Sequence, residues 1–409
     1  MHYMLRFFLA SLSLAVCATT CWAAKPHAKH AAAAPTAQTA PAAPAASAAS
    51  APAMAGIPGP PQVDARSYIL VDYRTGKVLA ASNAAARMEP ASLTKLMTAY
   101  IVFHELKLGK LKLQDMVTVS EHAWRSEGSR TFIELGKPVS VNDLILGMIV
   151  QSGNDATIAL AERVAGTEDT FAQLMNSTAK TLDMVGSHFE NSSGLPAPQH
   201  YTTARDMSLL AIAMIRDYPQ YYKYYSIREF EHNGIKQQNR NGLLEKDPSV
   251  DGLKTGHTDS AGFCLVTSAH REGMRLISVV LGSTSMKARE NASAALLTYG
   301  FTFYDTQLIA KAGAALATTH IWKAAQPTAE LGIKDDLYLT LARGEAGVKT
   351  AVEVHPKLIA PLGLDANVGT LRVLSGSQVL ASAALHPLKP VAAGGWWRRL
   401  LDTIRLWFA

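Results

Sequence analysis

The chain has 409 residues, of which 48% are hydrophobic and 18% are charged, and its formal net charge is +6. This length and composition provide for two domains with a sizeable core. Lysines and arginines are scattered through the chain and form no basic patch, which argues against nucleic-acid binding, so we expect no nucleic-acid partner.

Residues 1–24 have the pattern of a secretory signal peptide. His2 and Arg6 give a positive start, an apolar stretch runs from Leu5 to Cys17, and small alanines before residue 25 offer a cleavage site. The apolar stretch is too short to span a membrane. We therefore expect an exported protein.

Residues 25–62 are rich in alanine and proline and have almost no aromatic residue. Such a segment cannot bury enough apolar surface to order itself, so it predicts a flexible linker.

Residues 63–302 predict a folded domain that mixes helices with strands. Two apolar segments flank Arg74-Thr75-Gly76 in the pattern of a β-hairpin. Apolar periodicity predicts helices over 92–108, 169–182, 204–216 and 288–300, and strands over 262–269 and 275–281. Residues 141–165 are also largely helical, with an interruption at Ser152-Gly153-Asn154.

The first of these helices opens with Ser92-Leu93-Thr94-Lys95, and positions three apart share one helix face. Ser92 follows Pro90 near the helix N-terminus, where backbone N–H groups favour a developing anion. A serine hydroxyl is a weak nucleophile that needs an adjacent base. Burial on this apolar helix, with a second cation nearby, favours the neutral lysine that a base requires. We predict that Ser92 is a nucleophile and Lys95 its base; a capping serine beside a solvated lysine would not suit these apolar surroundings.

The triad Ser152-Gly153-Asn154 lies at a glycine turn between two helical runs. The Ser152 hydroxyl could relay a proton to a leaving amine, and the Asn154 amide could fix Lys95 and a substrate carbonyl. Such a triad alone is typical of an ordinary turn. Because the triad follows the Ser-x-x-Lys motif in the chain, we predict that Ser152 and Asn154 are catalytic residues.

The triad Lys254-Thr255-Gly256 precedes the strand-rich part of the domain. Lys254 and Thr255 offer a cation and a hydroxyl to a terminal carboxylate. Gly256 would let substrate backbone lie close to an edge strand, so that an extended peptide could bind by strand addition. The backbone N–H groups of His257 and Ser92 could form an oxyanion hole, and we expect His257 to position substrate without acid–base chemistry.

Residues 303–391 contain short strand-like segments with glycine and proline between them, which predicts a small β-rich domain. Residues 394–409 predict an amphipathic helix. Those sixteen residues rise only about 24 Å as a helix, less than the roughly 30 Å of a hydrocarbon core. We expect the helix to lie in a membrane interface; the alternative is a helix packed on the β-rich domain. Its apolar arc comprises Trp396, Trp397, Leu400, Leu401, Ile404, Trp407 and Phe408.

The three motifs, in this order, are those of the penicillin-interacting serine acyl enzymes. The chain resembles the low-molecular-mass penicillin-binding proteins that act as D-alanyl-D-alanine carboxypeptidases, over about residues 64–409. The matching segments are 90–98, 151–156, 239–244 and 250–258.

This resemblance implies an α+β fold, in which a five-stranded antiparallel sheet is flanked by helices and a helical lobe. A small all-β domain and a C-terminal amphipathic helix would follow. It also implies substrate-binding roles for Arg240 and Arg289, although a surface salt bridge would explain either arginine.

The implied activity is removal of the terminal D-alanine from peptidoglycan stem peptides ending in D-Ala-D-Ala, through an acyl-enzyme that β-lactam antibiotics also form. The implied location is the periplasm, with peripheral attachment to the outer face of the inner membrane. We find no His-Glu-x-x-His zinc motif and no phosphate loop, so we expect no metal or cofactor.

Three alternatives remain open at this point. A β-lactamase uses the same motifs, and class A enzymes add a glutamate for deacylation; Glu229 and Asn233 have the spacing of that glutamate motif but lie in a strand-like segment. A DD-endopeptidase would use the same residues on cross-linked peptides. A non-enzymatic cell-wall scaffold would need none of the motifs.

Overall fold

The structure of the protein is a computed structural model that describes residues 57–345 and 347–408. The predicted signal peptide, and all of the predicted linker before residue 57, lie outside the described residues.

The first domain alternates strands and helices up to residue 303. Its first half comprises β1 (Ser67–Asp72), β2 (Val78–Ser82), α1 (Lys95–Lys107), β3 (Met116–Thr118), α2 (Glu121–Trp124), β4 (Pro138–Ser140), α3 (Val141–Leu146), α4 (Asn154–Ala165) and α5 (Glu168–Thr181). Its second half comprises α6 (Ala204–Asp217), α7 (Pro219–Tyr222), β5 (Glu229–His232), β6 (Ile235–Gln238), α8 (Leu243–Lys246), β7 (Val250–Thr258), β8 (Gly262–Arg271), β9 (Met274–Ser283) and α9 (Met286–Phe303).

A five-stranded antiparallel sheet is the centre of this domain, with the strand order β2-β1-β9-β8-β7. Helices α1, α4 and α6 belong to one large apolar core, to which one face of the sheet contributes. Helix α9 belongs to a second core with the opposite face. The strand β7 is an edge strand and contains Lys254-Thr255-Gly256, so the third motif lies within the sheet and not before it.

Helix α1 begins later than predicted. Residues Ala91–Thr94 form a 3₁₀ turn, which we call the nucleophile turn after the role predicted for Ser92, and the α-helix proper begins at Lys95. Ala91 has a φ of +47° directly after Pro90, so the chain enters this turn sharply. Beyond it, α1 is buried on almost every side, as its apolar sequence predicts.

The helical stretch 141–165 is interrupted at the Ser152-Gly153-Asn154 turn, as predicted. A π-helical turn, Gly147–Gln151, follows α3, and Ser152 then adopts a left-handed conformation with a φ of +66°. Single π turns are often found at functional sites, and this one turns the chain so that Ser152 and Asn154 lie at the surface of the helical lobe that faces β7.

The second domain is all-β and ends in a helix, so the predicted fold class is confirmed. Its elements are β10 (Tyr304–Ala310), β11 (Ala317–His320), β12 (Thr328–Gly332), β13 (Leu337–Ala342), β14 (Val348–Val354), β15 (Gly369–Ser375), β16 (Gln378–Pro387) and α10 (Trp396–Leu406). Strands β10 and β13 form one pair, and a five-stranded sheet has the order β11-β12-β16-β15-β14. This domain has its own apolar core.

A buried carboxylate joins the two domains. Asp72 is fully buried, and its Oδ1 accepts hydrogen bonds from the Thr75 backbone N–H (2.8 Å) and hydroxyl (2.9 Å). Its Oδ2 accepts a bond from the Thr306 hydroxyl of β10 (2.6 Å). The Thr75 hydroxyl also lies 2.6 Å from that of Thr340 on β13. The Arg74-Thr75-Gly76 hairpin therefore has a structural role at the domain boundary.

We expect Asp72→Ala to lower the free energy of unfolding by about 2–4 kcal/mol, because it leaves several buried donors without an acceptor. Urea unfolding followed by circular dichroism would measure the change. Asp335→Ala, at an exposed position in the second domain, should change stability by less than about 0.5 kcal/mol. Equal unfolding midpoints for Asp72→Ala and the unmodified chain would contradict this role.

Candidate active site

A cleft of about 690 Å³ lies between the edge strand β7 and the helical lobe. It brings together residues from all three sequence motifs and both arginines that the resemblance implied. Lys95 and Lys254 lie buried behind its walls, at 1% and 2% exposure. The lining residues are Ser92, Gly128, Ser129, Ser152, Asn154, Ser193, Gly194, Leu195, Arg240, Thr255, Gly256, His257, Thr258, Phe263, Met286 and Arg289.

The amine of Lys95 lies within hydrogen-bond distance of three oxygens. These are the Ser92 hydroxyl at 3.0 Å, the Asn154 Oδ1 at 2.7 Å and the Ser193 carbonyl at 2.6 Å. A neutral lysine amine has two N–H groups and one lone pair. In that form, the N–H groups can donate to Asn154 and Ser193 while the lone pair accepts the Ser92 hydroxyl proton.

Burial lowers the pKa of Lys95 to about 7, and the Arg240 guanidinium adds to this effect. The carboxylates of Asp155 and Glu168 oppose it. A large fraction of the lysine is therefore neutral near pH 7, where it can remove a proton from Ser92.

The Ser152–Asn154 turn has little conformational freedom. A Cβ on Gly153 would lie 2.0 Å from the Thr131 hydroxyl, so only glycine fits there. The Asn154 Nδ2 donates to the Glu127 carbonyl (2.6 Å), which orients its Oδ1 towards Lys95. The Ser152 hydroxyl is buried and has no hydrogen-bond partner among the described residues, so it is available to a molecule in the cleft.

Asp155 supports this turn and was missed by the sequence reasoning. It is fully buried, and its carboxylate accepts from the backbone N–H groups of Thr131 and Phe132, each at 2.8 Å. It thereby fixes the loop that packs against Gly153. An acidic residue directly after the Ser-Gly-Asn triad was the available signal.

The β7 wall carries the third motif. A Cβ on Gly256 would lie 3.0 Å from the Pro90 carbonyl and 3.2 Å from the Leu93 nitrogen, so glycine lets β7 approach the nucleophile turn. Lys254 donates to the Thr255 carbonyl (3.1 Å). Burial, together with the cations of Lys95, Arg240 and Arg289, holds the pKa of Lys254 well below its usual range.

Two arginines give the cleft a positive lining. Arg289 donates to the Gly256 carbonyl (3.1 Å) and lies over the Phe263 ring, while burial lowers the pKa of Arg289 and that of Arg240. Neither arginine forms a salt bridge within 57–345 and 347–408, so the surface-pair explanation is not supported. None of the described lining residues is a carboxylate. His257 is exposed, with its ring 4.0 Å from that of Phe263.

His200 is a second buried group that the sequence did not indicate. It is 3% exposed, and its Nε2 lies 2.9 Å from the hydroxyl of Thr94 in the nucleophile turn. Its Nδ1 accepts from the Glu190 backbone N–H (3.2 Å), so Nε2 carries the proton that Thr94 accepts. Burial, followed by the charges of His188 and Lys95, lowers the pKa of His200 to about 4.

Comparisons with known proteins agree with this geometry. The family model described as D-alanyl-D-alanine carboxypeptidase matches residues 54–285, and that of the penicillin-binding protein 5 C-terminal domain matches residues 304–393. D-alanyl-D-alanine carboxypeptidase DacA of Escherichia coli K12 is 43% identical over 361 residues, which cover 86% of this chain and 90% of the relative. DacC of the same strain is 43% identical over 357 residues, covering 85% of this chain and 89% of the relative.

Two solved structures are also similar. Penicillin-binding protein 5 from Haemophilus influenzae matches with a TM-score of 0.78 and 40% identity, covering 81% of this chain and 99% of that chain. Penicillin-binding protein D2 from Listeria monocytogenes, in its ampicillin-bound form, matches with a TM-score of 0.55 and 31% identity. That match covers 59% of this chain and 98% of the Listeria chain.

The low pKa of His200 predicts a specific pH dependence of stability. The unfolded histidine binds a proton near pH 6.5 and the folded one only near pH 4, so stability falls as the pH is lowered through this window. We expect His200→Gln to remove about 2–3 kcal/mol of the stability loss between pH 6.5 and pH 4.5.

Urea unfolding at several pH values measures this slope. His270→Gln alters an exposed histidine and should leave the slope unchanged. The same slope in His200→Gln and the unmodified chain would show that His200 is not held in its neutral form.

Proposed function

Because this chain belongs to the D-alanyl-D-alanine carboxypeptidase family, we propose that Ser92, Lys95, Ser152 and Asn154 carry its reaction. The chain is a serine-type hydrolase of that family and a penicillin-binding protein of cell-wall metabolism. One observation carries the assignment of residues: a lysine amine with a pKa of about 7 is buried 3.0 Å from the Ser92 hydroxyl.

The first half of the reaction forms an acyl-enzyme. Ser92 Oγ attacks the carbonyl carbon of the penultimate D-alanine while Lys95 takes the hydroxyl proton. The backbone N–H groups of Ser92 and His257 stabilise the oxyanion. The C–N bond then breaks, and Ser152 relays the proton from Lys95 to the amine of the departing D-alanine.

The second half releases the shortened peptide. A water molecule takes the place of the departed D-alanine, Lys95 removes its proton, and the resulting hydroxide attacks the ester carbonyl. The ester C–O bond breaks and Ser92 recovers its proton from Lys95, as microscopic reversibility requires.

The positive cleft suits a peptide that ends in a free carboxylate. Arg240, Arg289 and Thr255 line it, and Lys254 lies directly behind Thr255. A bound carboxylate would raise the pKa of Lys254, because its negative charge favours the protonated lysine. A β-lactam carries an equivalent carboxylate, so the same groups would place its ring carbonyl against Ser92.

The alternatives fit less well. A class A β-lactamase needs a glutamate beside its acyl-enzyme, whereas the described cleft lining contains no carboxylate and Glu229 lies in β5 outside it. A scaffold would have no use for a buried lysine beside a serine. A DD-endopeptidase would use the same residues on a cross-linked substrate, and a comparison of monomeric with cross-linked peptides distinguishes it.

We expect a fluorescent penicillin to leave one long-lived adduct, on the peptide that contains Ser92. Ser92→Ala should abolish labelling and reduce D-alanine release from a pentapeptide by about 10³-fold or more, because it removes the nucleophile. Mass spectrometry of the labelled peptide and a D-alanine assay provide the measurements.

A second Ser-x-x-Lys sequence in this chain gives a matched control. Ser177 and Lys180 lie exposed on α5, so Ser177→Ala should keep both labelling and turnover. Retained D-alanine release in Ser92→Ala would contradict the mechanism. An adduct that hydrolyses within seconds would point instead to a β-lactamase.

We further propose that the protein is exported to the periplasm and attached to the membrane surface by α10. The polar side of this helix faces the β domain: Asp402 is 3% exposed and accepts from the Lys323 backbone N–H (2.7 Å). The opposite side carries the predicted apolar arc, which is between 44% and 88% exposed. Within the described part of the chain, every helix is too short or too polar to span a bilayer.

Helix α10 therefore combines both sequence-based alternatives: one side docks on the protein and the other is free. The tryptophans of the free side suit the headgroup region of a bilayer. Arg398, Arg399 and Arg405 against the single Asp402 favour anionic lipid.

We expect removal of residues 394–409 to release an active enzyme from membranes, because the free apolar side is then absent. Co-sedimentation with phosphatidylglycerol vesicles measures binding. Replacing Trp396, Trp397 and Trp407 together by Ser keeps the Asp402 contact and should weaken binding strongly. Unchanged sedimentation of both variants would place the attachment elsewhere in the chain.

A further inference from the structure

The Ser192–Ser193 turn supplies one of the three oxygens around the Lys95 amine, at the shortest of the three distances. It lies in the long connection between α5 and α6, where the described chain has no helix or strand and its isolated β-bridges involve His188, Tyr201 and Thr202. The Ser192 carbonyl accepts from the Thr98 hydroxyl (2.7 Å), so the turn lies directly against α1. Because the Ser192–Ser193 turn belongs to no helix or strand, side-chain hydrogen bonds must hold it in position.

Glu168, the first residue of α5, holds this turn from the other side. Its Oε1 accepts from the Ser192 backbone N–H (2.9 Å) and from the Ser192 hydroxyl (2.5 Å). Hydrogen bonds to a carboxylate are shorter and stronger than those between neutral groups. The Glu168 side chain is only 13% exposed, so water competes little for these bonds.

We propose that Glu168 is a positioning residue for the catalytic lysine: it clamps the Ser192–Ser193 turn so that the Ser193 carbonyl stays bound to the Lys95 amine. This proposal rests on the role of Lys95 as base proposed above. Glu168 contributes a second effect through its charge, because a nearby carboxylate favours the protonated lysine. The clamp therefore fixes the amine in space and also limits how far its proton affinity falls.

Several charged groups share this environment. Arg240, Lys254 and Asp155 act on Lys95 from the cleft, β7 and α4. Burial, and to a smaller extent the charges of His188 and Lys95, lower the pKa of His200. Glu168 itself faces His122 of α2, whose Nε2 lies 3.5 Å from Glu168 Oε2.

His122 also contacts Glu162 of α4, with Nδ1 at 3.0 Å from Oε1. Its side chain is 59% exposed, so solvent screens the interaction of His122 with both carboxylates. Glu162 thus shares the histidine partner and a similar exposure, 20%, but hydrogen-bonds through its side chain to Ser120 and not to Ser192. It offers a matched control.

The test is the second-order rate of acylation by a fluorescent penicillin, measured from pH 5 to pH 9 at constant ionic strength. Acylation should rise with pH as Lys95 loses its proton. Glu168→Gln keeps an acceptor oxygen for Ser192 and removes the charge, so the rise should move to lower pH by on the order of half a pH unit. Its plateau rate at high pH should stay within about twofold of the unmodified chain, because the clamp is retained.

Glu168→Ala removes the acceptor as well, so its plateau rate should fall by about tenfold or more as the amine loses its fixed position. Glu162→Gln should show neither change. Thermal unfolding of each variant checks folding, and if Glu168→Ala does not fold, the pH shift of Glu168→Gln decides the question.

The proposal is overturned if Glu168→Gln leaves the pH profile unmoved, or if Glu162→Gln shifts it equally. It is also overturned if a folded Glu168→Ala keeps the full plateau rate. An unmodified chain that is not acylated at any pH would instead contradict the proposed function, so the two failures are distinguishable.

Discussion

Among the residues that the structure describes, the buried Lys95 amine has no carboxylate within salt-bridge distance, and the candidate active site depends on this constraint. Lys95 is 1% exposed, and its amine meets a hydroxyl, an amide oxygen and a backbone carbonyl. Burying an unpaired ammonium is costly, so the group becomes neutral more easily. Because Arg240 adds a second cation nearby, the pKa of Lys95 lies at about 7. The fold thus favours the neutral form of a side chain that water would keep charged, as the proposed base requires.

Three separate elements create this environment, and close packing fixes the position of each one. Helix α1 is surrounded by apolar side chains, which exclude water from Lys95. The turn before α4 needs Gly153 because Thr131 leaves no room for a side chain. Gly256 lets the edge strand β7 lie close to the backbone of Pro90 and Leu93, where a larger residue would be tightly packed. These close approaches let the hydroxyl, amide and cation of distant motifs meet in one cleft.

The sequence predicted the elements and the motifs because both follow from local spacing. The helix predicted over 204–216 corresponds to Ala204–Asp217, where the Thr203 side chain caps the first turn. The π turn before Ser152 was not predicted, since one extra residue in a helical turn hardly alters the apolar pattern. His200 and Glu168 were missed for another reason. Their contacts with the nucleophile turn and the Ser192–Ser193 turn join residues 106 and 24 positions apart, which only tertiary packing brings together.

A direct measurement of the pKa of Lys95 tests most directly whether this buried lysine is neutral near pH 7. The protein would be labelled with ¹³C-lysine, and the Cε resonance of Lys95 assigned by its loss in Lys95→Arg and followed by NMR from pH 5 to pH 10.5. We expect this resonance to titrate at about pH 7, well below the value of about 10.4 for a lysine in a model peptide. A Lys95 resonance that stays at its protonated position up to pH 10 would contradict the account, because no neutral amine would then be present to activate Ser92.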